Sequence, residues 1–180
     1  MNFAWAKPVL VAASAAALLA TAACNRQPAM SGEDLAKNAE AAAAFMKTNA
    51  AAEGVQTLPS GLQYKVVASG PAGGVRPDRN DLARVDYEGS LTDGTVFDSS
   101  FKRGSPAVFS PEQVVPGWTE ALQLMKPGDE WLLYVPPELG YGEAGGPPAI
   151  PGNAVLVFRL KLLDVAPVPG GGRGVGSADV

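Results

Sequence analysis

The side chains that could support a binding or catalytic site in this 180-residue sequence are mainly aromatic. The chain contains no histidine, which removes every Ser-His or Cys-His pair and the commonest metal ligand. Its single cysteine, Cys24, excludes an internal disulfide and a thiolate metal cluster. We therefore expect neither a metal nor a cofactor. The aromatic residues in question, separated by turn signals, are Tyr87, Phe97, Phe109, Trp118, Tyr141 and Phe158. Taken singly, each is also typical of a sheet core.

Alternating and helical patterns place these residues on an α+β framework. Residues 84–91 alternate, with Val85, Tyr87 and Gly89 on one strand face. Residues 117–125 repeat apolar side chains at helical spacing and predict a short amphipathic helix. Asp93-Gly94 favours a type I′ hairpin, and Lys126-Pro127-Gly128-Asp129 favours a type II turn. Further strands are predicted at 63–67, 95–97, 130–135 and 154–165.

Four short motifs connect this framework to a known family. They are Val-Asp-Tyr at 85–87, Val-Phe-Asp-Ser-Ser at 96–100, Val-Val-Pro-Gly-Trp at 114–118 and Gly-Tyr-Gly at 140–142. In this order and spacing they resemble the FKBP-type peptidyl-prolyl cis-trans isomerases, over roughly Leu58 to Val165. The segments 58–64 and 101–106 look closest to the macrophage infectivity potentiator branch. The resemblance implies a curved antiparallel β-sheet wrapped around one short α-helix, preceded here by an N-terminal helix.

The activity that the resemblance implies is rotation about an X–Pro bond, which needs no acid, base or nucleophile. Isomerisation is slow because amide resonance must be broken, and a protein accelerates it by binding the twisted amide better than the planar forms. An apolar pocket favours the twisted amide, since it has lost charge separation. The expected substrates are proline-containing unfolded or exported proteins. The alternative is a peptide-binding module or holdase chaperone that uses the same groove without turnover.

The resemblance also assigns roles to individual residues. Trp118 would form the pocket floor, and Tyr141 would donate a hydrogen bond from the rim to a substrate carbonyl. Asp98 would be the charged group beside the pocket, with Arg103 and Tyr87 as its partners. Alternatively, Asp98 could simply cap the turn at Ser99-Ser100. The walls and the rest of the lining would be Tyr87, Phe97, Phe158, Val114, Val115 and Ile150.

Several positions depart from the drug-binding cytosolic members of the family. Ala107 replaces a phenylalanine that forms a pocket wall in those members, Gly146 replaces a histidine, and Ala149 replaces an isoleucine. Gly152 occupies a position where proline is frequent. The pocket rim is therefore expected to be more open. Macrolides of the FK506 and rapamycin type should still compete for the pocket, but more weakly.

The N-terminal residues 1–23 are typical of a signal peptide. Lys7 precedes an apolar run over residues 9–20 that is too short to span a bilayer. Small residues then lead into Cys24, as in bacterial lipoprotein signals, although Thr21 stands where leucine is usual. We expect lipidation of Cys24 and attachment to the cell envelope, at the outer membrane if the source is Gram-negative. The alternative is ordinary cleavage after Ala22.

Residues 24–57 are interpreted as a lipid-anchored tether and a spacer helix in front of an isomerase domain at 58–166. Ser31 is a predicted N-cap and Gly54 a predicted C-cap of this helix. Its apolar face is either solvated or a dimer contact, and because it carries little bulk we expect a monomer. Residues 167–180 are rich in glycine and are expected to form a flexible tail. The net charge of −4 gives no indication of nucleic-acid binding. The residues that share this helix face are Leu35, Ala39, Ala42, Phe45 and Met46, with the polar Asn49 next along it.

Overall fold

The computed structural model describes residues 30–170. The predicted signal peptide, Cys24 and residues 171–180 of the predicted tail lie outside this range. Within it, no helix combines the length and the apolar character that a membrane crossing requires.

A seven-stranded sheet, in which all paired strands are antiparallel, forms the body of the molecule. The strands are β1 (Val55–Thr57), β2 (Gln63–Ala68), β3 (Leu82–Leu91), β4 (Val96–Ser99), β5 (Ala107–Phe109), β6 (Glu130–Val135) and β7 (Leu156–Ala166). Along the sheet they follow the order β1-β2-β6-β7-β3-β4, and β5 pairs with β3. The predicted α+β fold is confirmed.

The main core lies between this sheet and helix α3, which spans Pro116–Leu124. Proline suits the first helical position because its missing N–H would have no partner there. Gly117 follows because the helix approaches the sheet closely: a Cβ at this position would lie 2.7 Å from Cγ1 of Val135. On the opposite side of the core, alternate residues of β7 are buried. The helix is thereby held with Trp118 facing the sheet, buried at 4% exposure.

Helix α1 spans Gly32–Asn49 and begins as predicted, with the Ser31 hydroxyl accepting a hydrogen bond from the Asp34 N–H. It ends at Asn49 and does not continue to the predicted cap at Gly54. The helix contacts its own domain, so it is not a free spacer. Ala42 is buried, and the ring of Phe45 lies 6.2 Å from that of Tyr134 on β6. Helix α1 therefore packs against its own domain.

Two local predictions need correction. The β3–β4 hairpin is not type I′, because that turn requires positive φ at both central residues and only Gly94, at +87°, has it. The Gly94 N–H instead donates to the Leu91 carbonyl, and the Leu91 N–H donates to the Thr95 carbonyl, which makes a longer loop. In addition, β1 pairs with β2, so the sheet begins within the predicted tether, before Leu58.

Candidate functional site

The predicted site residues come from several strands and loops around α3. Tyr87 lies on β3, Phe97 and Asp98 on β4, and Phe158 on β7. Val114 and Val115 lead into α3, and both are half-buried against the main core. Ile150 is buried in the same core. Tyr141, by contrast, is 45% exposed, as expected for a residue at a rim.

Trp118 is the centre of the aromatic cluster. Its ring is 5.1 Å from that of Tyr87 at an angle of 86°, and 5.1 Å from that of Phe158 at 79°. Edge-to-face contacts of this kind are favourable because a ring edge is positive and a ring face negative. Within residues 30–170 nothing accepts a hydrogen bond from the buried Nε1 of Trp118. The indole is therefore positioned by ring packing, as a pocket floor would be.

Phe109 also belongs to this cluster, although it was not among the predicted site residues. Its ring lies 5.9 Å from that of Tyr87 and 5.8 Å from that of Trp118, again edge to face. The sequence offered a signal, since Phe109 is one of the spaced aromatic residues. Strand β5 is only three residues long, however, and was not predicted.

Gly89 allows the rings of Phe97 and Phe158 to meet over the backbone of β3. Its Cα partners are Asp98 on β4 and Phe158 on β7. A Cβ at Gly89 would lie 2.6 Å from the Phe97 ring and 2.7 Å from the Phe158 ring. These two rings are themselves 5.7 Å apart and nearly perpendicular, at 87°. Glycine is therefore needed because any larger residue would displace the aromatic walls.

Asp98, Tyr87 and Arg103 form one hydrogen-bonded group at the edge of the cluster. The Tyr87 hydroxyl donates to Oδ2 of Asp98, and Nη1 of Arg103 donates to Oδ1 of the same carboxylate. Nη2 of Arg103 donates to the Tyr87 hydroxyl at 2.9 Å. The predicted partners of Asp98 are thus confirmed. Asp98 does not cap the following turn, because that role belongs to Ser99.

A short helix that was not predicted brings Arg103 to this group. Helix α2 spans Ser100–Arg103, with the Ser99 hydroxyl accepting from the Lys102 N–H. It stops at Gly104, whose φ of +71° is the left-handed conformation that glycine adopts readily. The Ser100 hydroxyl ties the helix to β3, because it accepts from the Tyr87 N–H at 2.9 Å and donates to Asp86 at 2.9 Å.

These contacts set the protonation states in the group. Burial alone would raise the pKa of Asp98, but hydrogen bonds from Tyr87 and Arg103 and the guanidinium charge outweigh it, so the pKa lies below its ordinary value of 3.8. Burial, together with the hydrogen bond to Asp98, raises the pKa of the Tyr87 phenol above 10.0. At neutral pH the site therefore holds an ionised carboxylate and a neutral phenol.

Tyr141 and Ile150 lie on one loop, residues 140–153. The Gly146 and Ile150 backbones exchange two hydrogen bonds of 2.9 Å within it. The Asn153 N–H donates to the Gly142 carbonyl at 2.8 Å and closes the base of the loop. The loop is thus braced internally, with Ile150 turned into the core and Tyr141 left at the surface.

The comparison with protein-family models gives two matches. A model described as FKBP-type peptidyl-prolyl cis-trans isomerase matches residues 73–163, about half of the chain. The chain belongs to the FKBP family. A second model, described as the domain amino-terminal to FKBP-type peptidyl-prolyl isomerase, matches residues 6–66. The FKBP match includes nearly all of the residues that the structure gathers around Trp118.

Individual relatives agree with this assignment. The chain is 52% identical over 128 residues to the peptidyl-prolyl cis-trans isomerase Mip of Coxiella burnetii, with 71% of this chain and 55% of that protein covered. It is 48% identical over 124 residues to the outer membrane protein MIP of Legionella longbeachae, with 68% and 52% covered. The crystal structure of FkpA from Escherichia coli is 44% identical with a TM-score of 0.71, covering 76% of this chain and 63% of that chain. The chain therefore spans about half the length of these curated relatives.

Proposed function

We propose that this FKBP-family chain catalyses cis–trans isomerisation of X–Pro bonds in proline-containing proteins. The observation that carries the proposal is the edge-to-face cluster around Trp118, bordered by the Asp98–Tyr87–Arg103 group. A cluster with an apolar floor and one charged edge suits a proline ring followed by a polar backbone. The relatives named as isomerases support the same activity.

The proposed mechanism depends on differential binding. The proline ring would rest on the Trp118 indole beside the paired rings of Phe97 and Phe158, where water would be excluded. A planar amide loses more solvation there than a twisted one, so the pocket lowers the barrier to rotation. The Tyr141 hydroxyl, exposed at the start of the loop, would donate to a substrate carbonyl and hold the chain on one side of the rotating bond.

Asp98 would act by holding the side chain of Tyr87, one wall of the proposed pocket, in place. Its carboxylate accepts hydrogen bonds from Tyr87 and Arg103, so the Tyr87 ring is fixed by its hydroxyl at one end and by Trp118 at the other. A wall fixed before the substrate binds does not have to be ordered at the transition state. Val114, Val115 and Ile150 complete the apolar lining in this proposal.

The test is a peptide isomerisation assay with the purified protein, combined with competition by FK506. We expect catalysis that FK506 inhibits, but weakly, because Ala107 and Ala149 offer little apolar contact. A proline-limited refolding reaction then separates isomerase from holdase action. A protein that suppresses aggregation without accelerating either reaction would contradict the proposal and favour the holdase alternative.

We also propose that the protein works in the bacterial cell envelope, attached through a lipid on Cys24. A relative named as an outer membrane protein supports an envelope location. Stable anchoring follows from more than one acyl chain, since each buried CH₂ contributes about 0.8 kcal/mol and one chain gives only marginal binding. Asn25, and not aspartate, follows Cys24, which suits the outer membrane in a Gram-negative source. The domain would face the periplasm or the exterior.

Mass spectrometry of the native N-terminus tests the anchor. We expect an acylated terminus at Cys24 and partitioning into the detergent phase. An unmodified terminus at Ala23, with the protein in a soluble periplasmic fraction, would contradict lipidation. It would leave the isomerase proposal unchanged, because the site lies wholly within residues 87–158.

A further inference from the structure

Helix α1 contacts the loop that carries Tyr141 and Ile150. The contact is made at the base of the loop, where Gly152 and Asn153 return the chain toward β7. The Asn38 side-chain amide donates to the Gly152 carbonyl at 2.9 Å, and the Asn153 side-chain amide donates to the Leu35 carbonyl at 3.0 Å. Two hydrogen bonds, donated in opposite directions, therefore join α1 to the base of the loop.

The same base closes the loop on its other side. The backbone N–H of Asn153 donates to Gly142, the residue after Tyr141, at 2.8 Å. Asn153 has a φ of +59°, a left-handed conformation that asparagine tolerates better than most residues. A short path of hydrogen bonds therefore leads from the Leu35 carbonyl of α1 through Asn153 to Gly142, the chain neighbour of Tyr141.

At Gly152 the loop packs closely against helix α1. A Cβ at this position would lie 2.5 Å from Cδ2 of Leu35 on α1 and would also run into the Glu143 carbonyl. The Gly152 N–H donates to Sδ of Met30, just before the helix, at 3.3 Å. The base of the loop therefore lies directly against Leu35 and Met30.

A groove of about 260 Å³ borders the middle of α1, between Ala41 and Ala42 and the β3–β4 turn, and it also borders Pro151. Apolar packing of Ala42 and Phe45 places α1 on its own domain. Hydrogen bonds from the side chains of Asn38 and Asn49 add directional contacts at two separate points of the helix. Asn49 donates to the side chain of Gln63 at 2.8 Å, away from the loop.

We propose that α1 is a working part of the isomerase site, in which Asn38 is a positioning residue that holds loop 140–153 and so fixes Tyr141 and Ile150 for the substrate. This inference rests on the proposed isomerase function. In this proposal the N-terminal helix directly affects the rate of turnover. A spacer helix or a dimer contact would have no such effect.

The test compares Asn38→Ala with Asn49→Ala in the otherwise intact chain. Each variant removes one side-chain hydrogen bond from a half-buried asparagine on α1, so similar small losses of thermal stability are expected. Only Asn38→Ala should speed amide hydrogen exchange in residues 141–153, and only it should lower kcat/KM, by about three- to tenfold. Asn38→Asp cannot donate to the Gly152 carbonyl and should behave like Asn38→Ala, whereas Asn38→Gln keeps the donor and should restore part of the activity.

Two results would overturn the proposal. One is unchanged loop exchange and unchanged kcat/KM in Asn38→Ala, or faster exchange with no loss of activity. The other is an equal loss in Asn49→Ala, which would show a general effect of loosening the helix. If the wild-type protein proved inactive on prolyl peptides, the isomerase proposal itself would fail, and the exchange data would still report whether Asn38 holds the loop.

Discussion

At the residue scale, the aromatic cluster around Trp118 is bordered by the ion pair of Asp98 and Arg103. Asp98 remains ionised there because Tyr87 and Arg103 donate hydrogen bonds to both of its oxygens. Hydrogen bonds to an ionised acceptor are stronger than those between neutral groups. The carboxylate thereby holds two side chains in place, and one of them, Tyr87, belongs to the aromatic cluster.

Replacing the charge without changing the size of the side chain tests this role. Asp98→Asn should lower kcat/KM by about tenfold, as expected for the loss of a charge-assisted hydrogen bond. The fold should persist, with a near-ultraviolet circular dichroism spectrum close to that of the wild type. Wild-type activity in this variant would mean that the Tyr87 wall does not depend on the charge.

Truncating the floor should have a different effect from removing the charge. Trp118→Ala removes a ring that contacts three other rings in the core. Such truncations cost about 3–5 kcal/mol, so both the free energy of unfolding and the activity should fall. Chemical denaturation alongside the isomerisation assay measures both. An active Trp118→Ala protein of normal stability would place the pocket elsewhere.

The pH dependence follows from the same group of residues. The pKa of Asp98 is lowered, so its contribution is present above 3.8 and is lost as the pH falls through the lower folded value. The pKa of Tyr87 is raised, so the contribution of the neutral phenol is present below 10.0 and is lost as the pH rises through the higher folded value. The sequence contains no histidine. We therefore expect kcat/KM to be flat from about pH 5 to about pH 9. A midpoint near neutrality would contradict this assignment.

At the element scale, β3 is the strand on which the site depends most. It carries Tyr87 and pairs with β4, β5 and β7. Phe109 on β5 and Phe158 on β7 contact Trp118, and Phe97 on β4 contacts Phe158. Gly89 lets two of those rings close over its backbone. The packing of these two rings therefore depends on a residue that has no side chain.

Gly89→Ala should push Phe97 and Phe158 apart. Overpacking of this kind costs about 1–3 kcal/mol, so both stability and kcat/KM should fall. The matched control is Gly32→Ala at the start of α1, where an added Cβ meets nothing within 4 Å. That variant should be as stable as the wild type or slightly more so. Equal behaviour of the two variants in thermal melts and activity assays would contradict the close packing at Gly89.

Local signals in the sequence predicted the elements that carry the site better than the contacts between them. The strand at 130–135 and the type II turn at 126–129 were predicted correctly, since Gly128 has a φ of +93° and the Asp129 N–H donates to the Lys126 carbonyl. Helix α2 was missed because four residues carry no periodicity. The contact of Asn38 with Gly152 was also missed, since it joins residues 114 positions apart and neither has a distinctive local pattern.

At the scale of the whole molecule, the docking of α1 bears on association. The face that could meet a second copy packs on the same chain instead, through Ala42 and Phe45. What stays exposed on the helix is largely alanine and charged residues, which offer little apolar area. We therefore expect the protein without its signal and lipid to sediment as a monomer at micromolar concentration. A stable dimer that the Phe45→Ala variant weakened would contradict this and would make the helix an interface.

Under the proposed function, the cluster around Trp118 is the catalytic site for prolyl isomerisation. The test is the kcat/KM of the triple variant Phe97→Ala, Asp98→Asn, Tyr141→Phe on a prolyl peptide, beside that of the wild type. We expect an active wild type and a folded variant whose kcat/KM is lower by about 100-fold or more, since each change removes a wall, a charge or a donor. Full activity in the triple variant would contradict this proposal.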